Sequence, residues 1–334
     1  MTNTGNIIFL SSIRARRHAL WPILLFLFSL SLQACAPGDD SFIGHGYHNF
    51  TAYFNAYYNA EVEFEKGLKA LQTDPNQTNI TGLEIFPPVT EKSAGQEFFS
   101  NVITKTSDIL KSHPRSSLAD DALLLMGKSY YYQAEFQPAE RKFQEILTNY
   151  PDSDLLDEAS FWYGRTLLQE FSIVQAREVL QSVVASPKAH EEVKAKCRFS
   201  LAELAIKEQN YQEAIRQIEA GLPAQNDDNI RSRAAFTLAR IYNLRGDYAK
   251  AAKAYSQVLD LNPTYELRYT AMIGYAISLR ENGRLTESAE VLDDLLGDDK
   301  NFERFGDIRY ELAITYMRQE KLNKAVDLYF EIIR

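Results

Sequence analysis

Gly127-Lys128-Ser129 has the residue types that close a phosphate-binding loop, where the lysine reaches the outer phosphates and the hydroxyl holds the metal. That chemistry needs another glycine five residues before Gly127. Ala122 stands there, inside a run with helical periodicity, so the spacing fails. His45 and His48 have no Cys or Asp converging on them and read as polar residues at a helix start rather than as metal ligands. No nucleophile elbow, zincin motif or glycine-rich dinucleotide turn occurs. Asp293-Asp294 and Asp298-Asp299 fall at expected helix ends, facing solvent. The reading is therefore a chain that is not an enzyme, with no catalytic residue, metal, cofactor or small-molecule substrate.

One residue does point to covalent chemistry. Arg14, Arg16 and Arg17 precede the short apolar run Leu20 to Leu32, which is too short to span a bilayer comfortably and fits a secretory signal. The run ends in Leu32-Gln33-Ala34-Cys35, which resembles a bacterial lipobox. That resemblance implies cleavage before Cys35 and lipidation of its thiol, and so an outer-membrane protein anchored by its N-terminus. An ordinary signal peptide with a nearby Cys is the alternative. Residues 1–34 are then the signal peptide and 35–46 a flexible tether. Ala36 differs from the Asp of the inner-membrane retention signal, while Asp39-Asp40 resembles a short acidic surface-export tag. Whether the protein faces the periplasm or the cell surface stays open. In a bacterial chain the formal glycosylation acceptors at Asn76 and Asn79 carry no meaning.

Something must position whatever chemistry the rest of the chain performs. With 45% hydrophobic, 24% charged and 12% aromatic residues, the 334-residue chain is too apolar for disorder and too charged for a polytopic membrane protein. Loss of residues 1–34 removes three Arg and no acid, leaving 33 basic and 45 acidic residues, a net charge of -12. Such a chain repels phosphate, so nucleic acid is excluded as a partner. Cys197, the one other cysteine, reads as a small buried apolar residue.

The elements themselves repeat. Ala139, Ala176, Ala214, Ala251, Ser288 and Ala325 recur every 37 or 38 residues. Twelve residues before each stands Gly127, Gly164, Ala202, Ala239, Ala276 or Ala313, and four after each stands Phe143, Leu180, Ile218, Tyr255, Leu292 or Tyr329. Small residues at two fixed points let paired helices approach closely. Breaks at Gln209-Asn210, Arg245-Gly246-Asp247 and Glu281-Asn282-Gly283 separate the helices of a pair. The columns resemble the tetratricopeptide repeat, most clearly in Gly127, Tyr130, Ala139, Phe143 and Pro151, although the family norm is 34 residues. The resemblance implies an all-α right-handed solenoid, with six repeats over residues 114–334, because a single hairpin cannot bury its own apolar face. The last repeat ends without a capping helix, so either a longer natural protein or a truncated gene is expected.

Ahead of the array, residues 47–113 read as an expanded helical hairpin. Its first helix covers 47–72, its second about Gln96 to Ser112, and residues 74–95 form a long loop with Gly82, Pro87-Pro88 and Gly95. That loop is expected to be more mobile than its flanking helices. The stretch Tyr47 to Ala60 is similar to the start of mature SprE/PorW lipoproteins of Bacteroidota, and Asp120 to Tyr132 to their first repeat. This resemblance implies an accessory scaffold of type IX secretion and gliding, with envelope proteins of that machine as partners. A BamD-like outer-membrane assembly lipoprotein and a surface carbohydrate-binding or nutrient-uptake lipoprotein are the alternatives.

In tetratricopeptide arrays the second, fifth, ninth and thirteenth positions of each first helix face the concave side. Carried over, these columns give a candidate partner-binding groove of Lys128, Tyr131, Tyr132, Phe161, Arg165, Phe199, Lys207, Phe236, Arg240, Tyr310 and Arg318. Arginine beside an aromatic ring one turn away suits an extended acidic or carboxylate-bearing peptide. The competing reading packs the aromatics between hairpins and pairs the arginines with acids of the next repeat.

Overall fold

In the computed structural model the described residues are 50, 56–74, 82–114 and 116–333. Cys35, the signal segment, the tether, His45, His48, Asn76 and Asn79 lie outside them, as does nearly all of the aromatic stretch before Tyr57. Among the described residues there are fourteen α-helices and no strand. They pair in chain order: α1 (Tyr58–Gln72) with α2 (Gln96–Ser112), α3 (Ala119–Tyr132) with α4 (Phe136–Asn149), and α5 (Leu156–Gln169) with α6 (Ile173–Ala185). Then follow α7 (Glu191–Lys207) with α8 (Tyr211–Gly221), α9 (Asp228–Leu244) with α10 (Tyr248–Leu259), α11 (Tyr265–Glu281) with α12 (Leu285–Leu296), and α13 (Phe305–Arg318) with α14 (Leu322–Ile333). Each helix packs on the next, and each hairpin on its neighbour, so the architecture is an all-α solenoid.

The small-residue columns explain the hairpin geometry. A Cβ added at Gly127 would lie 2.6 Å from the Phe143 ring, and one at Gly164 would lie 2.7 Å from Leu180. The bulky residue of the second helix thus sits directly on the backbone of the first. The same contact joins α1 to α2, where a Cβ on Gly67 would meet Phe99 at 2.7 Å. The first hairpin uses the packing device of the array without its sequence register. All six anchors from Ala139 to Ala325 are buried, and Phe143, Leu180, Ile218 and Leu292 are fully so.

The turn within each hairpin is as regular. Ala134, Phe171, Gln209, Gly246, Gly283 and Glu320 all adopt positive φ, between 59° and 81°. The next residue closes a bond back to the carbonyl five residues before it: Glu135 to Tyr130 and Asp247 to Tyr242 at 2.9 Å each, Asn210 to Ala205 at 2.8 Å. This six-to-one bond is the Schellman closure of a helix C-terminus, which satisfies a carbonyl that the helix leaves unpaired. The left-handed residue recurs with the period of the repeat, although glycine occupies it only twice.

Cys197 is fully buried in the core, and burial pushes its thiol above the usual cysteine range. No cluster of three metal-ligating side chains exists among the described residues, and no described helix is long and apolar enough to cross a membrane.

Candidate functional site

Residues 82–89 do not behave as a free loop. Ile85 is fully buried, and the irregular segment around it lies against α5, α7 and α9. One carboxylate organises it. Glu203 on α7 accepts from the backbone N–H of Ile85 and from that of Phe86, both at 2.8 Å to Oε1. On α9, Arg233 donates from Nε to the Ile85 carbonyl at 2.7 Å, and Arg240 donates from Nη1 to the Gly82 carbonyl. The groove therefore holds this bent segment by its main-chain atoms, two donors and two acceptors within five residues.

The polar seat is built by the repeat. Arg165, Glu203 and Arg240 are equivalent positions on α5, α7 and α9. Arg165 forms an ion pair with Oε2 of Glu203, the oxygen not used by the segment, and its Nη2 donates to the Tyr131 hydroxyl at 3.3 Å. Burial works against the charge on Arg165, but the adjacent Glu203 carboxylate outweighs it and holds the guanidinium firmly protonated. Arg233 has no such partner carboxylate in contact. Burial lowers it, opposed only by the more distant charges of Glu203 and Glu84. A buried arginine that spends its Nε on a main-chain carbonyl is a specific acceptor-reading group.

Side chains of this segment add the apolar half. The Arg165 guanidinium lies 4.3 Å from the Phe86 ring centroid, and Phe86 packs on Phe161 at 5.8 Å between ring centroids. Beside Phe86 and Pro87 a cavity of about 320 Å³ opens, walled by Tyr132, Trp162, Ile230 and Leu71.

The eleven sequence-selected groove residues divide into groups. Tyr131, Phe161, Arg165 and Arg240 meet at the segment, with Tyr132 at the cavity. Lys128 borders them, paired with Glu158 at 3.1 Å and 5.6 Å from the Trp162 ring centroid. Phe199 and Phe236 do not line the groove. Both are buried between helices: Phe199 against Gly221, Phe236 against Tyr255, whereas Phe161 at the same repeat position reaches Phe86. Lys207 and Tyr310 are exposed away from the segment, and Arg318 pairs with Glu281 at 3.5 Å. The guanidinium of Arg165 meets an acid of the next repeat, as the competing reading had it, and also an aromatic ring of the segment.

Sequence reasoning missed Glu203 as a site residue, although it occupies the ninth position between Arg165 and Arg240. It also passed over Arg233, which stands three residues before the fifth-position Phe236 and thus at an inward-facing second position. The alternation Arg-Glu-Arg along one column was the available signal.

Two family models, both described as tetratricopeptide repeat, match the chain. One covers residues 199–266, 236–304 and 274–334, the other residues 121–153, together about half of the chain. The chain carries tetratricopeptide repeats and folds as a tetratricopeptide-repeat solenoid. Among solved structures, the C-terminal part of a TPR repeat-containing protein from Cytophaga hutchinsonii aligns with a TM-score of 0.53 at 16% identity, over 71% of this chain and 93% of that one. A Rap protein complexed with competence and sporulation factor aligns at 0.47 and 15% identity, over 84% and 75% of the two chains. A tetratricopeptide repeat protein from Parabacteroides merdae gives 0.42 at 13% identity, over 82% and 92%. At these identities the likeness concerns the fold. No curated protein matches the sequence. Tetratricopeptide arrays are a non-catalytic scaffold type whose repeats suggest protein partners.

Proposed function

We propose that this tetratricopeptide-repeat chain is a protein–protein interaction scaffold of a bacterial envelope machine, anchored to the outer membrane through a lipidated Cys35 and acting as an accessory component of type IX secretion and gliding. The observation that carries the scaffold is the seat formed by Glu203, Arg233 and Arg240, which grips a non-helical segment by its main-chain atoms. Groups that read the main chain do not need a fixed side-chain sequence, and this suits a component that gathers several partners. The anchor rests on Leu32-Gln33-Ala34-Cys35 after its basic and apolar run, and the machine rests on the similarity of residues 47–60 and 120–132 to SprE/PorW lipoproteins.

Two measurements test this. Deleting the gene in its host blocks release of the proteins that the type IX machine sends to the medium, and unchanged release overturns the assignment to that machine. Cys35→Ser moves the protein from washed outer membranes to the soluble envelope fraction. Retention of the variant in the membrane overturns the lipid anchor while leaving the scaffold reading in place.

A further inference from the structure

Two guanidinium groups line the open cavity beside Phe86, and they differ in what they have left to donate. Arg165 is spent: it pairs with Glu203 and donates to the Tyr131 hydroxyl. Arg233 is only 6% exposed, and its Nε donates to the Ile85 carbonyl at 2.7 Å. Its two terminal nitrogens have no hydrogen-bond or ion-pair partner among the described residues, and neither is fully enclosed. Burying such a charge is costly unless an acceptor meets it. The acids around it are occupied or remote. Glu203 serves Arg165 and two main-chain N–H groups, and Glu84 acts only from a distance. Asp227, also on the wall, caps α9 by accepting from the N–H groups of Asn229 at 2.8 Å and Ile230 at 3.2 Å. The rest of the wall is apolar, with Tyr132 and Trp162 on one side and Ile230 and Leu71 on the other. The Tyr132 and Trp162 rings stand 5.6 Å apart between centroids at 68°, a corner that receives a flat ring against a face and an edge.

We propose that this cavity binds a small aromatic monocarboxylate of one or two rings, with the carboxylate on the two terminal nitrogens of Arg233 and the ring in the corner of Tyr132 and Trp162. A carboxylate matches the two-pronged end of a guanidinium and pairs with it through two parallel bonds. The site neutralises a single negative charge, because Arg165 is already paired and Asp227 repels a second one. A phosphate dianion therefore fits less well. A volume of about 320 Å³ lies at the small end of the range for small-molecule sites, which limits the ligand to one or two rings. The ligand is bound, not converted. Leu71 comes from α1, Tyr132 from α3, Trp162 from α5, and Ile230 and Arg233 from α9, so a ligand in the cavity ties the first hairpin to the ninth helix.

This inference stands apart from the membrane anchor and the secretion role, and its failure leaves both untouched. Calorimetric titration of the full chain with naphthoate, and with the uncharged naphthamide of the same shape, tests it. The expected result is at least tenfold tighter binding of the acid than of the amide. Arg233→Met removes that preference, and Ile230→Trp, which fills the cavity and leaves Arg233 in place, removes binding of both. Each variant is first shown to keep the helicity of the unaltered chain. Equal binding of acid and amide, or no binding of the acid at millimolar concentration, overturns the proposal. Octanoate bound as tightly as naphthoate overturns the aromatic assignment in favour of an acyl carboxylate. Arg233→Met also loses the bond to the Ile85 carbonyl, so should it fail to fold, Ile230→Trp decides. An acid that prefers the unaltered chain to Ile230→Trp by at least tenfold supports the site, and an acid that binds the two proteins alike overturns it.

Discussion

The concave side over α5 to α9 and the same side over α11 and α13 come from one repeat, yet they present opposite surfaces. In the first region the ninth-position column runs Arg165, Glu203, Arg240, and a non-helical segment of the same chain lies across it. In the second the column continues as Ile277 and Ile314, both half-buried, with Tyr310 and Met317 about half exposed nearby. The scaffold is equal in both: buried anchors, a left-handed turn residue and stacked hairpins. What differs is whether the column carries hydrogen-bonding groups. A polar column can fix a main chain in one register, while an apolar one offers area without register. Repetition supplies the shape, and a few substitutions in a single column decide what each stretch of the groove can hold.

The largest expected effect breaks the polar region. Glu203→Leu leaves the Arg165 guanidinium buried without its carboxylate and two main-chain N–H groups without an acceptor. Breaking a buried ion pair from one side costs about 3–5 kcal/mol. The matching change in the apolar region, Ile277→Leu, keeps volume and is expected to cost less than about 1.5 kcal/mol. Urea denaturation of both variants measures the contrast, and similar midpoints would remove the distinction drawn between the two regions.

A second contrast concerns close approach. Gly127→Ala puts a Cβ 2.6 Å from the Phe143 ring, which is fully buried and has no free direction to move. Overpacking of this kind costs roughly 1–3 kcal/mol. Gly306→Ala near the start of α13 meets nothing within 4 Å and gains helix propensity, so it is expected to be stabilising by roughly 0.5–1 kcal/mol. Thermal melts that move in the same direction for both would show that the seam tolerates more than the geometry implies.

These contrasts mark what was legible in the sequence. The period, the small-residue columns and the bulky partner four residues on were all visible, because close packing of two helices demands particular volumes at particular places. Those demands leave the same trace in every repeat. The occupied groove left no such trace. Residues 82–87 lie outside the repeat, and their partners are 117 to 158 residues away in sequence, so no local pattern links Gly82 to Arg240 or Ile85 to Glu203. Pro87-Pro88 and the missing periodicity correctly denied a helix, but lack of helix was taken as mobility. Non-helical chain can be just as buried when side chains of other elements satisfy its main chain. The fifth-position aromatics Phe199 and Phe236 were placed in the groove by a family rule that treats half-buried positions as inward-facing, and here hairpin packing claimed them.

A pH effect sharpens the comparison at the N-terminal end. Burial, with Asp120 beside it, raises Asp121 on α3 to about 6. Its unfolded value is about 3.9. A carboxyl raised in the folded state is favoured there in its protonated form. Its charge therefore costs stability above pH 6, and that cost disappears as pH falls through 6 toward 4. Asp121→Asn should stabilise the chain at pH 7.5 by roughly 1 kcal/mol and change little at pH 4. Denaturation at the two pH values checks this, and a gain of equal size at both would assign the effect to something other than the charge.

The smallest effect lies in the turns, which the two regions share. Phe171 adopts φ of 60° with its side chain 83% exposed, whereas Gly246 holds the equivalent turn at φ of 75°. A left-handed conformation costs a residue bearing a Cβ about 1–2 kcal/mol, and glycine escapes that cost while losing more entropy on folding. The two terms oppose each other, so Phe171→Gly is expected to stabilise by roughly 0.5–1 kcal/mol, since the exposed ring gives up little packing. Gly246→Ala, with nothing within 4 Å of the added Cβ, carries the conformational cost alone and should destabilise by about 1 kcal/mol. Opposite signs in melting temperature at two turns of one geometry would show that the six-to-one closure, and not the residue found there, dictates the backbone. Should Phe171→Gly destabilise instead, the ring contributes to packing between hairpins despite its exposure, and the turns are less alike than their dihedral angles.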